Sequence, residues 1–319
     1  MSHGRLMLLD TASLYFRAFH GLPSTLRSPD GRPVNAVRGL LDFIARLITD
    51  YSPDALACCW DNDWRPSWRV ELLPSYKTHR VAPRVPAGAP VGAGGVGAES
   101  GTAEEAPDEL EAQVPVIMEV LDALGLPVIG ADGYEADDVI GTLATTWSGP
   151  VDVVTGDRDL FQLVDDKHPV RIVYTARGMS RLAEVDDAWV RSKYGIAPWQ
   201  YADFAVLRGD PSDGIPGVAG IGEKIAASLL GEYDDLAGLM RAAMDSDSSL
   251  TTATRRKLAD AVDYLGVAGE VVRVARDLPL PQPGPLPGPP GARFDELAER
   301  HGLGSSADRI RKALAARAG

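Results

Sequence analysis

The chain has 319 residues, of which 45% are hydrophobic and 24% charged, a composition typical of a globular protein with two domains or one domain and a sizeable appendage. Its longest apolar runs, LMLL at 6–9 and ALACCW at 55–60, are far too short to span a bilayer, so no membrane partner is expected. The formal net charge of −13 disfavours a nucleic-acid partner without excluding one, because net charge does not say where the basic residues lie.

Strand-like and helix-like segments alternate through the first half of the chain. In order, they are a strand ending at Asp10, a helix over 35–51, a strand ending at Asp61, a helix over 110–125 interrupted near Pro115, a strand over 126–130, a helix over 134–147 and a strand ending at Asp157. This alternation predicts an α/β fold with a central, mostly parallel sheet and helices on both faces.

The cysteines and the N-terminus indicate the compartment. Cys58 and Cys59 are adjacent within a predicted strand, and because neighbouring cysteines rarely bridge each other, they are interpreted as two small core residues. The N-terminus lacks the basic-then-apolar pattern of a secretory signal. A reducing, cytoplasmic location fits both observations.

Two segments interrupt the alternation and help to divide the chain. Residues 81–107 are dominated by Ala, Gly, Pro and Val and cannot bury enough area to offset the entropy of ordering, so they are predicted to be mobile. Residues 278–291 are proline-rich and predicted to be extended. Strand patterns end near residue 186. The predicted domains are therefore a core over 1–185 and a helical region over 186–319.

Acidic residues recur at the ends of the predicted strands. A single Asp there is commonly a helix cap or turn former, but the carboxyl ends of parallel strands line one crevice where ligands bind. Three strand-end acids, together with the acidic helix start GYEADDV at 133–139, favour a shared site. The candidates are Asp10, Asp61, Glu135, Asp137, Asp138, Asp157, Asp159, Asp210 and Asp213.

So many acids in one crevice imply bound cations. Two carboxylates ~4 Å apart repel by roughly 4 kcal/mol at an effective dielectric near 20, and several such pairs would use up the net stability of a domain. Oxygen-only ligands select Mg²⁺ or Mn²⁺ over zinc. Metals held in this way suit displacement at phosphorus, so a phosphodiester substrate is predicted. No Walker-type loop is present, which disfavours nucleoside-triphosphate chemistry.

A glycine-rich stretch, GIPGVAGIGEKIAASLL at 214–230, begins one residue after Asp213. Gly217, Gly220 and Gly222 precede a helix that opens with Glu223 and Lys224. Successive backbone amides at such a helix start can hold a phosphate, although an ordinary turn between helices would have a similar pattern. Phosphate binding of this kind would be independent of base sequence.

Basic and aromatic residues alternate in a segment after Asp61. They are Trp64, Arg65, Trp68, Arg69, Tyr76, Lys77 and Arg80. Basic side chains beside aromatics suit an unstacked nucleic-acid strand, and the alternative is that the aromatics are core contacts of a helix.

Four stretches together resemble one known family. SYKTHR (75–80), GYEADDVIGTLA (133–144), VVTGDRDLFQL (153–163) and LRGDPSDGIPGVAGIGEKIAASLL (207–230) resemble the bacterial flap endonucleases, which include the 5′ nuclease domain of DNA polymerase I. The resemblance runs from about Leu6 to about Leu230 and implies a stand-alone member. It implies a helical arch over about 66–110, a helix–three-turn–helix DNA-binding element at 214–230, and cleavage of branched DNA near the junction of duplex and 5′ single strand. Flap and primer removal in replication and repair would follow.

The resemblance also implies roles for particular residues. The nine acids would hold two or more Mg²⁺ or Mn²⁺ ions or their waters, and a K⁺ ion would be held by carbonyls of the glycine hairpin. The residues implied to contact the scissile phosphate are Lys77, Arg80 and Arg17, and those implied to bind DNA are Phe16, Gly217, Gly220, Gly222 and Lys224. Arg69, from the segment of basic and aromatic residues, is also predicted to bind DNA. The family commonly has Tyr where this chain has Phe16, so stacking on a base is kept and a hydroxyl contact is lost.

The expected partners are 5′-flap, nicked or gapped DNA and RNA–DNA hybrids, bound by a monomer. Two alternatives remain open from the sequence. One is a non-catalytic protein that binds branched DNA. The other is a related metal-dependent ribonuclease acting on single-stranded RNA, against which the hairpin and the long helical C-terminal part argue.

Overall fold

The computed structural model describes residues 4–81 and 107–317, and a six-stranded sheet lies at its centre. The strands are β1 (Leu6–Asp10), β2 (Ala55–Cys59), β3 (Val128–Ile129), β4 (Val151–Thr155), β5 (Val170–Tyr174) and β6 (Ala183–Val185). Their spatial order is β3-β2-β1-β4-β5-β6, and neighbours run parallel except β6, which is antiparallel to β5. The predicted α/β fold with a mostly parallel central sheet is confirmed.

The order of the strands creates a crevice at the centre of the sheet. Every residue of β1, β2 and β4 is buried, because helices cover both faces of the sheet. The chain winds outward in opposite directions from β1 and β4, and ligands of such sheets bind beyond the carboxyl ends of the strands at this point. Asp10 is the last residue of β1, while Asp61 and Asp157 lie just beyond the ends of β2 and β4.

Helices cover the sheet on both sides. Those of the N-terminal half are α1 (Thr11–Gly21), α2 (Asn35–Tyr51), α3 (Ser67–Leu72), α4 (Asp108–Glu111), α5 (Val114–Ala123) and α6 (Ala136–Thr146). Leu41 of α2 and Ile117 of α5 share one buried apolar cluster, and Ile140 of α6 belongs to another on the opposite face. Pro115 lies in the first turn of α5, where its missing N–H costs nothing, and the break between α4 and α5 at residues 112–113 is the predicted interruption near Pro115.

Helices dominate the described residues after β6. They are α7 (Asp187–Tyr194), α8 (Tyr201–Arg208), α9 (Glu223–Tyr233), α10 (Leu236–Met244), α11 (Thr252–Asp260), α12 (Val262–Val272), α13 (Ala292–Arg300) and α14 (Gly304–Ala315). Leu207 of α8, Leu230 of α9 and Leu265 of α12 belong to the same apolar cluster as Ile140 of α6, so this helical layer lies beside the helix that carries the acidic start.

The last two helices return to the N-terminal half. Phe294 of α13 and Ile310 of α14 belong to the apolar cluster of α2 and α5, and α14 packs along α2. The proline-rich segment before them lies extended, with Leu286 N donating to Asp54 O at 2.7 Å beside β2. This packing differs from the predicted grouping of 186–319 as one helical region, because the apolar faces of α13 and α14 are buried against the core. The domain boundary near residue 185 stays a prediction.

The predicted mobile segment lies outside the described residues except at its two ends, residues 81 and 107. Of the predicted arch over about 66–110, the structure describes α3, a 3₁₀ turn at Thr78–Arg80 and the start of α4. Across the described ranges, no helix has the length and apolar content needed to cross a membrane.

Candidate active site

The strand-end acids are fixed by hydrogen bonds from the elements around them. Asp10 caps α1 by accepting from Ser13 N at 3.1 Å, and its second oxygen accepts from the Thr155 hydroxyl at 2.6 Å. Asp61 accepts from Ala136 N at 2.8 Å, which ties the end of β2 to the first turn of α6. Asp10 is therefore both the N-cap of α1 and a carboxylate of the crevice, so the structural and functional interpretations of this residue are compatible.

Four carboxylates at the crevice have raised pKa values, through burial and through the charges of neighbouring acids. Burial raises the pKa of Asp10 to about 7, and the charges of Asp61 and Asp157 add to the effect. Burial raises the pKa of Asp137 well above its usual range, with further increases from Asp157 and Asp10. Burial also raises the pKa values of Asp61 and Asp157. The structure thus brings acids from β1, β2, β4 and α6 into one crevice.

Asp159 and Asp213 extend this acidic set on the side of the hairpin. Burial, followed by the charges of Asp157, Asp213 and Asp210, raises the pKa of Asp159 well above its usual range. Oδ1 of Asp159 is buried and accepts no hydrogen bond. Asp213 also raises the pKa of Asp157. A buried carboxylate oxygen without a donor, facing other carboxylates, is the kind of group that a cation satisfies.

Asp210 differs from the neighbouring acids because arginine side chains compensate its charge. Its Oδ2 accepts from Arg208 at 3.0 Å and from Arg158 at 3.4 Å, and its Oδ1 accepts from Ser212 N at 3.0 Å. The serine hydroxyl of Ser212 donates to the same oxygen. These contacts neutralise Asp210 within the protein, at the edge of the acidic set.

Glu135, the N-cap residue of α6, is held by basic and phenolic groups from the segment after α3. It accepts from the Tyr76 hydroxyl at 2.9 Å and from Lys77 Nζ at 2.7 Å, and both donors are buried. Burial raises the pKa of Glu135 to about 7, while Lys77 and Arg69 act in the opposite direction. Lys77 therefore supplies the positive charge that directly contacts Glu135. Sequence reasoning missed the role of Tyr76, although it directly precedes Lys77 in SYKTHR.

Arg80 and Arg17 approach the crevice from two sides. Arg80 donates to Asp213 Oδ1 at 2.8 Å and to Ser212 O at 2.7 Å. A Cβ placed on Gly156, just after β4, would meet Nη2 of Arg17 at 3.5 Å, and Nε of Arg17 is buried without a hydrogen-bond partner. Together with Lys77, the predicted phosphate contacts therefore lie at the rim of the same crevice.

Asp138 and Arg69, predicted to bind metal and DNA, are instead bound to each other. Nη1 and Nη2 of Arg69 each donate to the Asp138 carboxylate at 2.8 Å, and the two residues are 2% and 0% exposed. The backbone amides of Ala275 and Glu135 donate to the same carboxylate at 2.9 and 3.2 Å. Four hydrogen bonds use all the acceptor sites of Asp138, and Arg69 has no surface for DNA. These contacts argue against both predictions.

The glycine hairpin lies against the basic segment beside the acids. Lys77 N donates to Asp213 O at 2.9 Å, and the Ser75 hydroxyl donates to Gly214 O at 2.7 Å. Gly217 has φ +73°, and a Cβ there would lie 2.5 Å from Gly209 N, so this turn requires glycine. The start of the hairpin is thus hydrogen-bonded to the segment that supplies Lys77.

The other predicted hairpin residues lie at its exposed tip. Gly220 has φ +74°, and its carbonyl accepts from Lys257 Nζ of α11 at 2.8 Å. Gly222 is the N-cap of α9, and Lys224 is exposed in the first turn of that helix. Phe16 lies elsewhere, half-buried on α1, with its ring stacked on Tyr15 at a centroid distance of 5.4 Å.

The donors that the crevice offers to a cation are carboxylate oxygens. Cys58 and Cys59 are buried in β2, and burial raises the thiol pKa of Cys58 to about 12 and that of Cys59 well above its usual range. In residues 4–81 and 107–317, no three His, Cys, Asp or Glu side chains already surround one ion position. The chemistry of the donor set is that of a site for Mg²⁺ or Mn²⁺.

Comparison with known proteins agrees with this fold. The family described as 5′-3′ exonuclease, N-terminal resolvase-like domain, matches residues 5–195, and the 5′-3′ exonuclease, C-terminal SAM fold, matches residues 196–285. The chain is 56% identical over 313 residues to a 5′-3′ exonuclease of Streptomyces coelicolor, covering 97% of this chain and 100% of the relative. It is 49% identical over 320 residues to a 5′-3′ exonuclease of Mycobacterium tuberculosis, covering 97% of each.

A longer enzyme and two solved structures are similar as well. DNA polymerase I of Mycobacterium tuberculosis is 38% identical over 281 residues, which cover 87% of this chain and 28% of the polymerase. The bacteriophage T5 flap endonuclease, solved with DNA and metal ions, has a TM-score of 0.61 at 18% identity, covering 98% of this chain and 99% of the other. The catalytic core of Rad2 with DNA substrate has a TM-score of 0.57 at 17% identity, covering 99% and 93%.

At these identities the two solved structures support the fold, while the family matches and the closely similar relatives support membership. They confirm the resemblance seen in the sequence motifs and the helical character of the C-terminal part. The chain belongs to the family of 5′-3′ exonucleases, which hydrolyse phosphodiester bonds.

Proposed function

We propose that this 5′-3′ exonuclease is a metal-dependent, structure-specific nuclease that cuts DNA near the junction of duplex and 5′ single strand in flap, nicked or gapped substrates. The observation that carries the proposal is the set of acids at the crevice, whose pKa values are raised by burial and by neighbouring carboxylates and which lie beside Lys77 and Arg80. Acids alone would repel a phosphodiester, so cations and basic side chains must both contribute to binding one.

The residues proposed to hold Mg²⁺ or Mn²⁺ are acids that lie in the same crevice and repel one another electrostatically. They are Asp10, Asp61, Glu135, Asp137, Asp157, Asp159 and Asp213, with Asp210 at the edge. The T5 flap endonuclease and its metal ions support the assignment. Two divalent ions, when bound, would supply an activated water and stabilise the leaving oxygen.

Lys77, Arg80 and Arg17 are proposed to bind the scissile phosphate. Lys77 and Arg80 now neutralise Glu135 and Asp213, so each can exchange its carboxylate partner for a phosphate oxygen when cations take over that carboxylate. Arg17 has a buried Nε without a partner, which leaves hydrogen-bonding capacity for a ligand.

The glycine hairpin is proposed to hold the DNA backbone at some distance from the cut. Gly222 and Lys224 are exposed at the start of α9, where backbone amides and a basic side chain suit a phosphate. The two structures of similar fold that contain DNA support a nucleic-acid partner. The carbonyl of Gly220 already accepts from Lys257, so a K⁺ ion at the hairpin stays a prediction that would need other carbonyls.

A cleavage assay across flap, nick, gap and overhang substrates, each labelled at the 5′ strand, tests the proposal. We expect cleavage near the junction with Mg²⁺ or Mn²⁺ and none with chelator. Intact flap DNA under both metals would refute it, and flap binding without cleavage would favour the non-catalytic alternative. Preferential cutting of single-stranded RNA would favour the ribonuclease. RNA–DNA hybrids, tested in parallel, would show whether primers are substrates.

A further inference from the structure

The Arg69–Asp138 pair connects parts of the chain that are far apart in sequence. Arg69 belongs to α3 and Asp138 to the first turn of α6. Nε of Arg69 also donates to Val271 O of α12 at 3.0 Å, and Asp138 accepts from Ala275 N just beyond that helix. One buried ion pair thus fixes α3, α6 and the end of α12 against one another.

Stability alone does not explain a charged pair at this place. Replacing a buried ion pair with apolar residues of similar volume is often neutral or stabilising, because burying two charges costs as much as their attraction returns. What a fully satisfied polar network gives is a single arrangement of the parts that it joins. The relevant question is therefore which groups this pair holds in place.

The pair determines how the first turn of α6 faces the crevice. Successive residues of an α-helix point about 100° apart, so turning Asp138 towards Arg69 directs Asp137 to a different side. That side is the crevice, because Ala136 N, directly before Asp137, donates to the crevice acid Asp61 at 2.8 Å. The charges of Asp157 and Asp10 add to burial in raising the pKa of Asp137, which agrees with this placement. Asp138 also accepts from Glu135 N, and Nη1 of Arg69 lies 3.5 Å from Glu135 Oε2. Both neighbouring carboxylates are therefore oriented by this one pair.

We infer that Arg69 and Asp138 are positioning residues that hold Glu135 and Asp137 in the geometry needed to bind the divalent cations. This inference rests on the proposed metal-dependent function of the same crevice. Neither residue touches the reacting atoms, and each acts through the first turn of α6. Groups that orient metal ligands from behind are commonly worth about ten- to one-hundred-fold in metal affinity or activity.

A matched control lies at the other end of the sheet. Asp152 of β4 is fully buried and accepts from Arg171 Nε at 2.6 Å and from Arg5 Nη1 at 2.9 Å, with no contact to the crevice acids. Asp138→Asn and Asp152→Asn each remove one buried charge from an arginine partner. A purely structural role for Asp138 would make the two variants behave alike.

The experiment measures Mn²⁺ affinity by calorimetry without DNA, the melting temperature, and kcat and KM on a 5′-flap oligonucleotide. We expect Asp138→Asn to weaken Mn²⁺ binding and to lower kcat, each by about ten- to one-hundred-fold, with KM for DNA nearly unchanged. We expect Asp152→Asn also to lower the melting temperature while leaving Mn²⁺ affinity and kcat of the folded enzyme unchanged. Arg69→Lys, which keeps the charge but not the two-pronged contact, should fall between wild type and Asp138→Asn.

A double variant covers the case in which Asp138→Asn fails to fold. Arg69→Met combined with Asp138→Leu removes both charges together, so it leaves no unpaired charge in the interior and should fold. Weak Mn²⁺ binding in this folded variant would support the inference, and wild-type Mn²⁺ affinity would overturn it. If wild type itself neither binds Mn²⁺ nor cuts DNA, the proposed function fails, which is a separate outcome.

Discussion

Two aspartates at opposite ends of β4 show how differently one fold can treat the same side chain. Asp152 lies near the start of the strand and is neutralised by Arg5 and Arg171. Asp157 lies just beyond the end of the strand, where burial and then the charge of Asp213 raise its pKa. The first acid is compensated by the chain itself. We propose that a cation from outside compensates the second, so that an acid marks a site when its own protein leaves its charge uncompensated.

We expect the largest effect on cleavage from removing the charge of Asp157. Asp157→Asn should lower kcat by about three orders of magnitude, since losing a metal contact at the reacting phosphate removes several kcal/mol of transition-state stabilisation. DNA affinity should change little. Single-turnover cleavage and fluorescence anisotropy on one flap substrate measure the two quantities. A rate within tenfold of wild type would remove Asp157 from the proposed machinery.

The comparison of Asp152 with Asp157 also predicts different effects of Asn substitutions on the free energy of unfolding. Without metal, Asp157→Asn should leave the free energy of unfolding unchanged or increase it, because one repelling charge is removed. Asp152→Asn should decrease it by about 1–3 kcal/mol, because the partly exposed Arg5 and Arg171 lose charge-assisted hydrogen bonds to a buried acceptor. Urea unfolding with chelator present measures both values. A loss of stability in both variants would show that the crevice acids are compensated within the chain.

The pH dependence of stability is a further test of the crevice acids. Asp10 and Glu135 have pKa values of about 7, raised by burial from 3.8 and 4.5, so the folded state binds more protons than the unfolded state between about pH 4 and 7. The metal-free protein should therefore lose stability, by a few kcal/mol at most, as pH rises through this window.

Saturating Mg²⁺ or Mn²⁺ should flatten this dependence, since the ions bind the ionised carboxylates. Melting temperatures between pH 4.5 and 8, with chelator and with metal, provide the measurement. A metal-free stability that rises steadily across the window would contradict the raised pKa values.

The sequence predicts well which acids lie at the carboxyl ends of the parallel strands. Apolar runs that stop at an Asp mark the carboxyl ends of parallel strands, and the geometry of such a sheet places those ends together. Asp10, Asp61 and Asp157 could therefore be assigned to one crevice from the order of the elements alone. Their number and their oxygen-only chemistry then indicated the type of cation.

Two adjacent acids show where such reasoning fails. Asp137 and Asp138 are identical in type, and only the rotation of α6 separates them. That rotation depends on Arg69, which lies 69 residues earlier in the chain, and on the backbone of Ala275, which lies far later. The return of α13 and α14 to α2 was missed for the same reason, because amphipathic helices do not specify which distant surface they cover.

The smallest expected effect concerns the hairpin, where the chain again supplies its own cation. The ammonium group of Lys257 lies on the carbonyl of Gly220, and a Cβ on Gly220 would be 3.0 Å from that nitrogen, so the two are closely packed. An internal ammonium makes an external monovalent cation less necessary at this carbonyl. We therefore expect flap-DNA affinity to change less than about twofold when K⁺ is replaced by choline at equal ionic strength, because backbone phosphate contacts respond mainly to total salt.

Lys257→Met is the variant that sharpens this expectation. It keeps most of the side-chain length but removes the ammonium, so flap-DNA binding should weaken a few-fold in choline and recover in K⁺ if the freed carbonyl accepts the ion. Lys224→Met, on the exposed first turn of α9, is the matched control and should weaken binding equally in both salts. Fluorescence anisotropy with chelator present isolates binding from cleavage. If wild type itself requires K⁺ for tight binding, the hairpin belongs with the crevice, as a second place where the fold relies on a cation from solution.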